Sequence, residues 1–155
     1  MLHLDNGGNH ELYRWRFDNI IEREVSFDLI GASYYPYWHG TLEDLRNNLN
    51  DIARCYDKDI VVVEAAYPFT ADDKDNFANV IQDQRYPGYP FTPEGQQTML
   101  AVIMDIVREI PNGHGLGIMW WDATWTAVKG NGWENQALFD FDNRALPAMK
   151  MFDQA

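Results

Sequence analysis

The sequence predicts an α/β fold built around a parallel sheet. Three observations carry that prediction. Four short apolar runs each precede a longer segment whose apolar residues recur about every 3.6 positions. The run Asp59-Ile60-Val61-Val62-Val63-Glu64 is β-branched and apolar on both faces, as a strand buried within a parallel sheet is. Each run also ends in a cluster of polar and aromatic residues, where parallel α/β folds build their sites.

The first strand is Leu2-His3-Leu4, and the helical segment after it sets Leu12, Trp15, Phe17 and Ile20-Ile21 near one face. Residues 27–35 form the second strand. Thr41 through Arg54 is the strongest helix, with Thr41 and Asp44 spaced as a capping box and Leu42, Leu45, Leu49 and Ile52 as its apolar stripe. Cys55, beside Ala53, Arg54 and Tyr56 at that helix's end, reads as a half-buried, inert thiol. After the third strand, Thr92-Pro93-Glu94 supplies a cap, a proline at the first helical position and an acid in the first turn. The helix it opens buries Met99, Val102, Ile103, Ile106 and Val107 and stops before Pro111-Asn112-Gly113. The fourth strand spans 115–121, followed by a loop and a last helix. Strands alternating with helices imply right-handed crossovers. No linker divides the 155 residues; the longest irregular stretches are 66–91 and 122–138.

Composition narrows the function. The chain is 46% hydrophobic, 14% aromatic and 23% charged, which is globular. A formal charge of −12 argues against a partner held through its phosphates, so no nucleic acid is expected. No apolar run approaches the roughly 20 residues of a membrane helix, so no membrane partner is expected either. Met1-Leu2-His3-Leu4-Asp5 lacks the regions of a signal peptide. One cysteine excludes an internal disulfide. A dinucleotide fold fits poorly, because no G-x-G-x-x-G follows a strand and Gly7-Gly8 is too short for a phosphate loop.

Glu64 is the sharpest candidate. A carboxylate directly after three valines is drawn toward a buried position, where an unpaired charge is costly. It is either catalytic or a structural acid paired with an arginine. Tyr34, Tyr35, Trp38, Trp121, Trp125 and Trp133 lie in loops or at strand ends. Flat aromatics beside carboxylates suit the apolar faces of sugar rings, while Asn, His and Asp bond hydroxyls; a carbohydrate site follows. His3 points inward, His39 sits on a strand-end loop, and His10 and His114 read as solvated. No H-E-x-x-H or similar set points to zinc. Asp73, Asp75 and Asn79 have the alternating spacing of oxygen ligands for calcium, but acidic loops commonly hold no ion.

At these residues the sequence resembles the endo-β-1,4-galactanases of glycoside hydrolase family 53. The resemblance is carried by residues 1–8 (MLHLDNGG), by 33–42 (SYYPYWHGTL), and by Val61-Val62-Val63-Glu64 with Tyr67-Pro68. Trp121 with Trp125 and residues 132–141 (GWENQALFDF) extend it over almost the whole chain. It implies a (β/α)8 TIM-type barrel. Residues 1–155 would be the C-terminal half of that single catalytic barrel, carrying strands five to eight with their helices.

By the same resemblance Glu64 would be the nucleophile at the end of the seventh strand. Asp5, Asn6, Tyr34, Trp38, His39 and Trp121 would line the galactan-binding groove. Two departures stand out. The family's Trp-Glu-Pro on the eighth strand is Trp121-Asp122-Ala123 here, and bacterial relatives with a calcium loop carry a His where Phe77 stands. The second departure weighs against a structural calcium; no organic cofactor is implied. A retaining glycosidase needs two carboxylates about 5–5.5 Å apart, and the family's acid/base belongs to a strand that would precede residue 1. Neither Asp5 nor Asp122 replaces it, so the chain alone is expected to lack galactanase activity.

The resemblance thus implies a fragment of a secreted enzyme, extracellular or periplasmic, that cleaves internal β-1,4 bonds of pectic galactan or arabinogalactan. The alternative is a non-catalytic galactan-binding half-barrel. Exposed strand edges favour self-association in either case.

Overall fold

A computed structural model describes residues 1–126 and 129–154. Its elements are β1 (Leu2–Leu4), α1 (His10–Glu22), β2 (Leu29–Tyr34), α2 (Leu42–Tyr56), β3 (Asp59–Ala65), α3 (Pro93–Arg108) and β4 (Gly115–Trp120). Short 3₁₀ segments at Pro111–Gly113, Glu134–Gln136 and Pro147–Gln154 complete it. The last segment stands where the sequence predicts an α-helix. The strands form one parallel sheet in the order β1-β2-β3-β4, half the strand number of a (β/α)8 barrel.

The chain packs as two compact units. The first comprises residues 1–65 and 103–119; the second comprises 66–102 and the chain from Trp120 onward.

In the first unit, Asn9 caps α1 by accepting from the Leu12 amide at 3.0 Å. The helix buries Tyr13, Phe17 and Ile20, at spacing i, i+4, i+7. The expected stripe is therefore rotated: Trp15 and Ile21 are exposed, because Tyr13 takes the inward position and donates its hydroxyl to the Leu4 carbonyl at 2.7 Å. Helix α2 opens on the expected capping box, with both Thr41–Asp44 hydrogen bonds formed, and buries Leu45, Leu49 and Ile52. It also buries Asn48, whose amide donates to the Gly7 carbonyl at 2.7 Å and ties down the loop after β1. Asp57, in the left-handed conformation, ends the helix. Cys55 is exposed on its outer face, not half-buried. His114 is not a solvated side chain either. Its ring lies between Asp59 (2.9 Å) and Asp57 (3.2 Å), bracing the starts of β3 and β4, and its carbonyl accepts from the Ile60 amide at 2.7 Å.

The second unit has its own core of Tyr67, Phe69, Ile81, Phe91, Met99, Leu100, Leu138 and Leu146. Three consecutive buried polar residues organise its loops. Asn135 donates to the carbonyls of Thr70 and Ile81, Trp120 donates its indole N–H to the Gln136 carbonyl at 2.8 Å, and Glu134 accepts from the Lys74 amide. Gln96 reaches the carbonyls of Tyr67 and Ala137 from α3. Buried backbone groups of long loops need partners, and this stretch supplies them. Among the described residues no helix is long and apolar enough to cross a membrane.

Candidate active site

Strict alternation along β3 would place Glu64 in phase with Ile60 and Val62, which are fully buried. The sheet avoids that. Ala32 of β2 pairs with Val62, and the next residue, Ser33, pairs with Glu64, leaving Val63 as an extra residue. This irregularity shifts Glu64 by one position onto the half-buried row with Val61 and Val63. The carboxylate is thereby brought out of the core at the C-terminal end of the strand. Among the described residues no arginine or lysine pairs with it, so the structural alternative for Glu64 loses its partner. It accepts a hydrogen bond from the Tyr35 hydroxyl at 2.8 Å instead.

Tyr35 is absent from the groove residues that the resemblance implies. It follows β2 directly, and Tyr34, which that set includes, is the residue turned away: fully buried, with its hydroxyl donating to the Gly40 carbonyl at 3.0 Å. Alternation explains the exchange, since Ser33 and Tyr35 share one face of the chain and Ala32 and Tyr34 the other. Burial, and next the hydrogen bond to Glu64, push the Tyr35 phenol well above its ordinary range. It therefore stays a neutral donor. The Tyr35 ring also packs edge-on to Trp38 (5.7 Å between centroids) and His39 (5.3 Å).

Around this pair stand the other predicted residues of the first unit. His39 is buried; its Nδ1 accepts from the Tyr35 amide at 3.2 Å, and its Nε2 faces the Asp5 carboxylate at 3.4 Å. The same Nδ1 lies 3.2 Å from the Ser33 carbonyl oxygen. Asn6 adopts a left-handed backbone (φ 59°) at the start of the loop after β1. Trp38 presents a half-exposed indole. His3 bonds the Ser33 hydroxyl at 2.7 Å, next to the rung that Ser33 shares with Glu64. The loops after β1 and β2 touch through their backbones: a Cβ on Gly8 would lie 2.0 Å from the His39 carbonyl oxygen. Gly7-Gly8 thus serves close approach of two site loops. Trp121 follows β4 in the second unit, partly exposed, its ring 6.2 Å from that of Trp125.

The second unit also gathers acids. Asp73, Asp75 and Glu134 each offer a carboxylate oxygen, and the three lie within 4.8 Å of one another. Glu134 is fully buried and its Oε2 has no hydrogen-bond partner, as is true of the buried Asn79 Oδ1 on the same loop as the two aspartates. Burial foremost, then the charges of Asp75 and Asp73, raise the Glu134 carboxyl above the usual range. Backbone amides, Asn131 first, hold Asp75 below it. Orphaned buried oxygens in an all-oxygen set fit a calcium ion. The spacing of Asp73, Asp75 and Asn79 suits oxygen ligands, while Phe77 stands where the resemblance expects a His; Glu134, distant in sequence, joins the two aspartates as a third carboxylate.

Comparison with known proteins shows the family. The profile of Glycosyl hydrolase family 53 matches residues 1–152. An uncharacterized protein from the bgaB 5′ region of Niallia circulans is 41% identical over 94% of this chain and 42% of its own length. The endo-β-1,4-galactanase of Bacillus subtilis is 30% identical over 99% of this chain and 44% of its own. Among solved structures, the GH53 catalytic domain of Ignisphaera aggregans superposes with a TM-score of 0.91 at 40% identity, covering 97% of this chain and 44% of that one. The chain thus spans less than half the length of these relatives. With a profile match over nearly all its residues, this chain belongs to glycosyl hydrolase family 53.

Proposed function

We propose that the chain supplies the nucleophile side of a retaining endo-β-1,4-galactanase acting on galactan or arabinogalactan outside the cell. The observation that carries the proposal is Glu64: a carboxylate lifted out of the buried row at a strand's C-terminal end, held by a neutral phenol and by no cation. That is the state a nucleophile needs, charged and oriented but not neutralised by a salt bridge. In a double displacement, the Glu64 carboxylate attacks the anomeric carbon and forms a glycosyl-enzyme, which water then hydrolyses. The Tyr35 O–H fixes one carboxylate oxygen, leaving the other for attack. Asp5, Asn6, Trp38 and His39 of the first unit would bind the sugars. Asp73, Asp75 and Glu134 would hold a structural calcium that braces the loops of the second unit.

The first step also needs an acid for the departing oxygen. In the first unit the carboxylate of Asp5 faces His39 at 3.4 Å. General-acid assistance is worth about 10²–10⁴-fold, so the chain alone is expected to show no detectable turnover of galactan. The test is release of galacto-oligosaccharides from β-1,4-galactan, by the chain alone and with the N-terminal half of a family 53 enzyme added. Turnover only in the mixture, abolished by Glu64→Gln, is the expected result. Turnover by the chain alone would overturn the missing acid, and galactan binding with no turnover in either sample would make the chain a binding module.

A further inference from the structure

We propose that two copies of this chain associate edge to edge, β1 of each against β4 of the other, and so close one eight-stranded parallel sheet. The proposal rests on the fold and is independent of the galactanase reading.

Both outer strands of the sheet have a free side: among the described residues β1 bonds only β2, and β4 only β3. Parallel strands are normally covered, and a free edge is a template for another strand. Apolar side chains gather beside both edges within the first unit: Met1, Trp15 and Val25 near β1, Leu116 and Met119 on β4, all exposed. Trp15, at 63% exposure, borders a groove of about 370 Å³ that Leu2, Ile20 and Val25 also line. Helix α1 turns its other flank to α2, where His10 and Arg14 reach Asp51 and Tyr56 reaches Asp18. The groove therefore opens on the side away from α2, beside the free edge of β1.

A second copy is the occupant that fits. Pairing β1 with β4 joins unlike edges, and such contacts build either closed rings or open filaments. Four parallel strands are half of the eight that close a barrel. Over 97% of its length the chain also keeps the arrangement of a family 53 domain more than twice as long. The ring therefore closes at two copies, with two identical seams and no edge left free. Charge agrees: Arg16 and Arg23 are the only charged residues lining the groove, a basic spot on a chain of net charge −12. An acidic neighbour, such as the chain itself, is favoured there. The five apolar side chains expose roughly 500 Å² per copy. Closing both seams thus removes about 1,000 Å², the floor for a specific interface, before the strand backbones are counted. A family 53 N-terminal half would need the same two edges, so it and the second copy exclude each other.

The test is sedimentation of the whole chain over a range of concentrations. The expected species has twice the mass of one chain and dissociates on dilution. Trp15→Lys and Leu116→Lys should each raise the dissociation constant more than tenfold, because each spoils both seams of its own pair. Mixing the two variants should restore part of that loss as a one-to-one pair. There the β4 edge of the Trp15 variant meets the β1 edge of the Leu116 variant, and that seam is intact. In wild type, hydrogen exchange at the β1 and β4 amides should quicken together on dilution, a readout that needs no variant. A chain single at every concentration, or one that grows into open polymers, would overturn the proposal. So would loss of pairing in only one variant, or a mixture that restores nothing. A chain that stays single alone yet binds a family 53 N-terminal half one to one would assign the edges to that half instead, leaving the galactanase reading intact.

Discussion

Replacing Glu134 with glutamine should change how the protein answers to calcium. Glu134 is fully buried, one of its oxygens lacks a partner, and two aspartates stand within 4.8 Å. Its carboxyl is raised in the fold, so the folded state binds the proton more tightly than the unfolded one. The stability this contributes is present below the ordinary carboxylate range and is lost as pH rises through the folded value. At neutral pH without calcium, Glu134→Gln should therefore melt at or above the wild type, since it removes a buried charge while keeping the shape. Calcium reverses the order. At a hundredfold excess over its dissociation constant, a ligand of the folded state adds about 2.7 kcal/mol. For a chain of this size each kcal/mol moves the midpoint by about 2–4 °C, so wild type should rise by roughly 5–10 °C. The glutamine variant, with one carboxylate gone, should rise far less. Thermal melts at pH 7 in EDTA and in calcium provide the assay. Equal gains in both proteins, or none in either, would refute the site.

Three other outcomes follow from single contacts. Tyr35→Phe removes the hydroxyl that donates to Glu64; a hydrogen bond to a charged group is worth about 1.5–3 kcal/mol, so kcat of the reconstituted enzyme, followed as release of galacto-oligosaccharides, should fall roughly 10–100-fold. His114 is raised first by its bond to Asp59 and then by Asp57, so its stabilising pairing is complete below about pH 6.5 and fades as pH climbs through the raised value; melts from pH 5 to 9 should show wild type losing this increment and His114→Asn lacking the slope. Gly8→Ala would drive a methyl into the His39 carbonyl; a lowered midpoint and weakened galactan binding should appear together in one titration series.

Much of the scaffold was legible in the sequence because it rests on local signals. The four strands, the Thr41–Asp44 box and the Leu45–Leu49–Ile52 stripe all appear where the residues place them. The failures share a cause: each turned on a contact across the fold. Trp15 and Ile21 lost the inward face of α1 because Tyr13 reaches the Leu4 carbonyl. Tyr34, expected in the groove, is buried, and Tyr35 reaches Glu64, through the phase of β2; Val63's role as the extra residue is set by pairing with β2, which no single strand reveals. Glu134 joins Asp73 and Asp75 from about 60 residues away. Glu64 itself was readable, since a lone acid after three valines needs a reason. Its release onto the half-buried row was not.

The most direct measurement is mass spectrometry of a trapped glycosyl-enzyme. A 2-fluoro-galactoside with a dinitrophenyl leaving group, which needs no acid to depart, is incubated with the chain and a family 53 N-terminal half. The adduct should map to the peptide bearing Glu64 and vanish in Glu64→Gln. An adduct on Asp5 or Asp122, or one that survives Glu64→Gln, would contradict the assignment of Glu64 as nucleophile.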